Sequence, residues 1–371
     1  VDVSDAALEK GRARTEKKIR KGQESGAFKG DMGDRMIECL HWTSNYDDLK
    51  GAELVVEAAT EDEGLKRKIF GQLEGLCAPN AILVSNSSHL EPEAIFADAK
   101  NPYHCACVHY FFPAERNIVV EVIPGAQTER ATTDWLLAFY EAIGKAPIEV
   151  GSRYGYAVDP IFEGLFLAAR LLADDGVGTT KEIDTVARKA LKQGIGPFTA
   201  MNLTGGNPIT AVGLDKYTSK INDWFHTPES LKTAVAEGTP WEVPARDEKV
   251  EISDEKFEEI ANLMRGAYFG LIGEIIDSGI SNVADLEMAV STALVVAPPF
   301  ELMNKLGVKE SLALIEGFKA RYPKFVVPDC VKAQAESGEP WTIPVVLSRD
   351  VERTRVITIR RPAVLNALNE T

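Results

Sequence analysis

Short apolar runs alternate with stretches of helical periodicity over roughly the first 150 residues. Residues 4–24 read as a polar helix, with Ser4 placed to cap it. Residues 53–58, 81–85, 105–111, 117–123 and 146–150 read as strands, and 62–77 and 127–143 as helices between them. Strands separated by helices predict an α/β layered domain with a largely parallel sheet. From about residue 155 the pattern turns helical and stays so. Near the end, 345–348 and 354–359 read as the two strands of a hairpin.

The helical half contains a repeat. Pro197, Phe198, Met201, Asn202 and Gly205 reappear in order as Pro299, Phe300, Met303, Asn304 and Gly307. Pro228, Lys232, Gly238, Pro240, Trp241 and Pro244 reappear as Pro328, Lys332, Gly338, Pro340, Trp341 and Pro344. Two ordered blocks at nearly one offset, about one hundred residues, predict a duplicated helical unit whose copies pack together and cover each other's apolar faces. The expected divisions are 1–151 (α/β), 152–250 (first helical copy), 251–345 (second copy) and 346–371, the last too short to bury a core alone.

Composition narrows the function. The 371 residues are 45% hydrophobic and 26% charged, as in an ordinary globular protein. No apolar run reaches the length of a membrane span. A net charge of −15 argues against nucleic acid as a partner. It leaves room for an anionic cofactor, which a few local cations can hold. The five cysteines have no metal-ligand spacing and predict a reducing cytoplasm, with Cys105 and Cys107 packing on one strand face.

Of the five histidines, His109 stands out because it lies on a strongly apolar strand. Twelve residues on, Glu121 interrupts another apolar strand and needs a partner if buried. A carboxylate beside an imidazole fixes its tautomer and makes it a competent base near neutral pH. Taken alone, the pair reads first as two strand residues in a structural hydrogen bond. Ser85 and Ser87 read as turn or cap residues, and Arg67 and Lys68 as a solvated helix face.

The order Val55-Val56-Glu57-Ala58-Ala59-Thr60-Glu61, Lys66, Ser85-Asn86-Ser87-Ser88, His109 and Glu121-Val122-Ile123-Pro124-Gly125 resembles the 3-hydroxyacyl-CoA dehydrogenase family over roughly residues 1–345. The resemblance implies a Rossmann-like domain followed by an all-α helical domain, here duplicated as in multifunctional members, where a second copy stands in for a dimer partner. It also implies oxidation of an acyl-CoA substrate by NAD. His109 would be the base, Glu121 its orienting carboxylate and Ser88 a hydrogen-bond partner of the substrate oxygen. Asp159 falls at a further substrate-site position. Asp2, at the end of what resembles the second strand of a dinucleotide-binding fold, would hold the adenosine ribose and favour NAD over NADP. Ala58, Glu61, Lys66 and Asn86 would lie near the nicotinamide half. Residues 357–368, with Arg361-Pro362 and Asn366-Ala367-Leu368, resemble the start of an enoyl-CoA hydratase (crotonase) domain, which would make the substrate that the dehydrogenase oxidises. A homodimer is compatible with this reading.

Three departures qualify the resemblance. No Gly-x-Gly-x-x-Gly turn precedes Asp2, so the residues that bring backbone N–H groups to a pyrophosphate are missing from 1–371. That predicts a stretch lacking part of both ends, with weak NAD affinity and an exposed sheet edge. Phe112 replaces an asparagine after the His-aromatic-aromatic run, predicting a more apolar pocket. Asp159 replaces another asparagine and, if ionised, can only accept hydrogen bonds. Asn202 stands where the family often has aspartate. These departures keep two alternatives open: a non-redox acyl-CoA-binding or scaffold module for the hydratase, and a nicotinamide oxidoreductase acting on a non-CoA hydroxy acid.

Overall fold

The computed structural model describes residues 1–203, 206–351, 353–361 and 366–367. It opens with α1 (Asp5–Glu24) and α2 (Met32–Glu38). The Ser4 hydroxyl caps α1 by accepting the Ala7 N–H. A five-stranded sheet follows, in the order β1 (Leu54–Glu57), β2 (Ile82–Ser85), β3 (Cys105–Tyr110), β4 (Val119–Pro124) and β5 (Ala146–Glu149). The helices α3 (Glu63–Glu74), α4 (Pro92–Ile95) and α5 (Arg130–Ala142) lie between the strands in sequence.

The sheet is parallel from β1 to β3 and again between β4 and β5, but β3 and β4 run antiparallel. The loop between them is too short for the helical crossover that a parallel pair needs. Alternation along the strands gives the sheet two apolar faces. One carries Ile82, Val84, Ala106, Val108, Val120 and Val122 and packs on Leu136 and Tyr140 of α5. The other, with Leu83, Cys105, Cys107, Val119 and Ile123, is continuous with the helical core. His109 and Glu121 have the parity of this second face.

β1 forms an edge of the sheet, with Val56 40% exposed, and no strand among the described residues pairs with its free side. Val1 and Asp2, expected as a strand end, are instead exposed and unpaired with the sheet. The Asp2 carboxylate accepts the Ser4 N–H 3.0 Å away, so it serves the start of α1.

The helical half is two runs of five: α6 (Val158–Asp174), α7 (Thr180–Ala190), α8 (Pro197–Leu203), α9 (Gly206–Lys220) and α10 (Glu229–Glu237), then α11 (Asp254–Asp277), α12 (Val283–Ala293), α13 (Pro299–Leu306), α14 (Val308–Arg321) and α15 (Asp329–Ser337). The repeated residues make repeated interactions. Asp184 of α7 accepts the backbone N–H groups of Phe198 and Thr199, and Glu287 of α12 accepts those of Phe300 and Glu301. The Asn202 amide donates to the Trp241 carbonyl and accepts its N–H, and Asn304 treats Trp341 the same way. An aspartate at 202 could not donate, which explains the amide at this position. Gly238 and Gly338 close α10 and α15 in the left-handed conformation.

The hairpin of β6 (Val346–Val351) and β7 (Thr354–Ile359) follows, and Arg360 ties it to the rest by donating to the Pro147 carbonyl and pairing with Asp285. Pro362 and Leu368, part of the hydratase resemblance, lie outside the described residues.

The two glycines of the α11–α14 packing and the α14 surface predict opposite outcomes. A Cβ on Gly266 would meet the Leu314 carbonyl oxygen at 2.2 Å, whereas one on Gly317 would meet nothing within 4 Å. Gly266→Ala should lower the unfolding free energy by about 1–3 kcal/mol. Gly317→Ala should raise it by up to about 1 kcal/mol. Urea denaturation measures both.

Candidate active site

The antiparallel register sets His109 directly opposite Glu121. Glu121 has no exposed surface and His109 is 4% exposed. Glu121 Oε2 lies 2.7 Å from His109 Nδ1, while Oε1 accepts the backbone N–H groups of Ala157 at 3.2 Å and Val158 at 3.1 Å. Gly155 and Tyr156, both with positive φ, turn the chain into α6 just before these donors. The first turn of α6 therefore meets the carboxylate with N–H groups and with the positive end of its dipole.

With Nδ1 committed to Glu121, Nε2 is the free nitrogen of His109, and Asp159 Oδ2 stands 3.7 Å from it. Burial works against a proton on His109, but the Asp159 and Glu121 carboxylates outweigh it and the imidazole is held above its usual range. Burial pushes the Asp159 carboxyl up to about 6, against the pull of His109 and His89.

The serine turn at the end of β2 is anchored from β1. Glu61 accepts from the Ser87 hydroxyl and from the N–H groups of Ser88 and His89. The half-buried Ser88 hydroxyl makes no hydrogen bond among the described residues. The Asn86 side chain accepts the Tyr110 N–H at 3.1 Å and so links the end of β2 to β3. Ala58 and Glu61 are exposed at the end of β1.

Two expectations need correction. Lys66 is wholly enclosed: its ammonium donates to both Glu57 oxygens at 2.9 and 3.0 Å and lies 3.5 Å from Glu61. In this arrangement it supports the floor of the site from below and has no surface to offer a ligand. Phe112 is 81% exposed, so it does not make the pocket more apolar; the ring packed on His109 is Phe111, 4.6 Å away.

His89 was not singled out by its sequence context, yet it is 6% exposed and its Nε2 lies 3.4 Å from Glu163 Oε2. Burial disfavours its charge, but Glu163, Asp159 and Glu61 raise it to about 9. The available signal was Asp159 and Glu163, one turn apart in the first half of a largely apolar helix. A cleft of about 640 Å³ opens beside His89, walled by Tyr154, Glu61, Ile209, Val212 and Lys216. The elements thus bring together His109, Glu121 and Asp159, hold Ser88 against Glu61, and leave Asp2 elsewhere, bonded to the Ser4 N–H just before α1.

Two measurements follow from this charge pattern. Lys66→Met leaves the buried Glu57 carboxylate without its counter-ion, and thermal or urea unfolding should show a loss of about 3–5 kcal/mol. The raised His89 pKa contributes stability that is complete below pH 6.5 and lost as pH rises through about 9. Stability should therefore fall over that interval, and less steeply in His89→Gln.

The family description "3-hydroxyacyl-CoA dehydrogenase, NAD binding domain" matches residues 1–153. A 3-hydroxybutyryl-CoA dehydrogenase of Clostridioides difficile is 29% identical over 228 residues, 62% of this chain and 81% of that protein. The crystal structure of (S)-3-hydroxybutyryl-CoA dehydrogenase from Ralstonia eutropha is 26% identical, with a TM-score of 0.62 over 64% of this chain and 84% of that one. That of 3-hydroxybutyryl-CoA dehydrogenase from Escherichia coli K12 is 17% identical but has a TM-score of 0.79 over 91% of this chain and 92% of that one. That likeness shows the fold, and its coverage extends beyond the first helical run, because residues 1–250 are only about two thirds of the chain. Residues 1–153 therefore match the NAD-binding domain of the 3-hydroxyacyl-CoA dehydrogenase family.

Proposed function

We propose that this protein oxidises 3-hydroxyacyl-CoA to 3-oxoacyl-CoA with NAD, as a step of fatty-acid or related acyl-CoA β-oxidation. The observation that carries the reading is the buried His109–Glu121 pair, with Nδ1 tied to the carboxylate and Nε2 left to take a proton. His109 removes the proton of the substrate 3-hydroxyl, and Glu121 holds the imidazole in orientation and stabilises its charge. The free Ser88 hydroxyl hydrogen-bonds the same substrate oxygen. Asp159 stands on the open side of His109 and completes the pocket.

NAD, when bound, accepts the hydride from C3. Its nicotinamide half fits the carboxyl ends of β1 and β2, where open α/β sheets take ligands. Ala58, Glu61 and Asn86 stand there, and Lys66 acts through Glu61. Asp2 retains the ribose role by resemblance alone. The described residues hold no glycine turn for the pyrophosphate.

The acyl chain enters the cleft beside His89 and Tyr154. Residues 346–371 start an enoyl-CoA hydratase domain that feeds this site. The chain divides at 1–151, 152–250, 251–345 and 346–371 in this reading, and the two helical copies pack as an internal pseudo-dimer. The five free cysteines fit a reducing cytoplasm.

Full-length protein given NAD and 3-hydroxybutyryl-CoA should generate NADH absorbance. None over a panel of chain lengths would favour the non-redox binding role. His109→Gln should lower turnover by about 10²- to 10⁴-fold while NAD binding stays near that of the native protein. Parallel loss of both would make His109 structural.

A further inference from the structure

The site contains a second imidazole that the reading above does not use. Asp159 and Glu163 lie one turn apart on α6, which places both carboxylates on one helix face. Each meets a histidine. Asp159 Oδ2 is 3.7 Å from His109 Nε2, and Glu163 Oε2 is 3.4 Å from His89 Nε2. The imidazoles come from neighbouring chain segments, His109 from β3 and His89 from the turn after β2. Glu163 is closed in by α9: a Cβ on Gly213 would sit 2.5 Å from its Oε2.

The surroundings leave few other charges to act on the pair. His89 faces Glu163 and Asp159 from α6, Glu61 through its backbone N–H, and the rings of Tyr154 and Tyr217. Lys216 and the Lys220–Glu91 ion pair line the same cleft. His109 faces Glu121, Asp159, Tyr156 and His89.

We propose that His89 is a positioning residue for proton transfer at His109: its positive charge, held by Glu163, offsets Asp159 and keeps a proton from settling on the base. The inference rests on His109 being that base. Two imidazole–carboxylate pairs, His109–Asp159 and His89–Glu163, share one face of α6, and Glu121 holds the other nitrogen of His109. Asp159 alone would hold a proton on His109 Nε2 and block the nitrogen that the substrate hydroxyl needs. A cation at His89 opposes that proton and also favours Asp159 as the carboxylate. The charges of His89, Asp159 and His109 act on one another, so a change at His89 is felt at His109.

The pH profile of kcat/KM for 3-hydroxyacyl-CoA oxidation tests this in the native protein, His89→Gln and Asp159→Asn. The acidic limb reports the proton loss that frees His109. Removing a positive neighbour tightens every bound proton, so His89→Gln should move the limb to higher pH. Removing a negative neighbour does the reverse, so Asp159→Asn should move it to lower pH. Each displacement should be about one pH unit. A structural defect lowers the rate without displacing the limb in opposite directions. A limb that stays in place, or moves to lower pH, in His89→Gln overturns the proposal. Retained turnover in His109→Gln instead overturns the base assignment. If His89→Gln does not fold, side-chain NMR titration of the unaltered protein decides. The His109 signal should follow a two-step curve as it senses His89, and a one-step curve overturns the coupling.

Discussion

Glu121 is the constraint on which the rest of the site depends. Its carboxylate has no contact with solvent, and an unpaired charge there would cost several kcal/mol. One oxygen is satisfied by His109 of β3 and the other by two N–H groups at the start of α6. The carboxylate therefore fixes three elements at once. It requires the antiparallel register that sets it opposite His109. It also requires α6 to begin against the sheet, which brings Asp159 and Glu163 into the site. A one-residue slip of β3 would turn His109 to the opposite face, towards α5, and leave the carboxylate without its partner.

The helical half holds α6 in that place by using one set of interactions twice. In each copy a carboxylate caps the helix that begins at the Pro-Phe pair, and an asparagine amide clamps the backbone of a tryptophan whose ring packs on that phenylalanine. Burial pushes the Glu287 carboxyl up to about 7 even though it accepts two backbone N–H groups. α11, the counterpart of α6 in the second run, packs against α6 itself. The helix that carries Asp159 is thereby pinned between the sheet and the second copy, so its side chains meet the imidazoles with little freedom to withdraw.

The sequence determined the elements and the main pair. Period-two and period-3.6 patterning located the strands, α1, α3, α5 and the C-terminal hairpin, and marked the second half as helical, because burial on one face leaves a local record. The ordered Pro-Phe and Gly-Pro-Trp blocks revealed the duplication for the same reason, since each copy needs the same caps and clamps. His109 and Glu121 were visible because polar residues on apolar strands need a partner.

Tertiary structure alone decided what lies around that pair. His89 sits in a polar serine turn, and nothing local distinguishes it until α6 places Glu163 beside it. Lys66 resembles its exposed neighbours in sequence, yet burial against Glu57 removes it from any surface. Phe112 looked like a pocket residue by its position, but the chain turns it out to solvent. Asp2 has the sequence of a strand end but bonds the backbone of Ser4 just before α1, and no strand among the described residues pairs with it. These are long-range matters of direction and neighbour, and they govern desolvation and charge, whereas patterning records only which face of an element is buried.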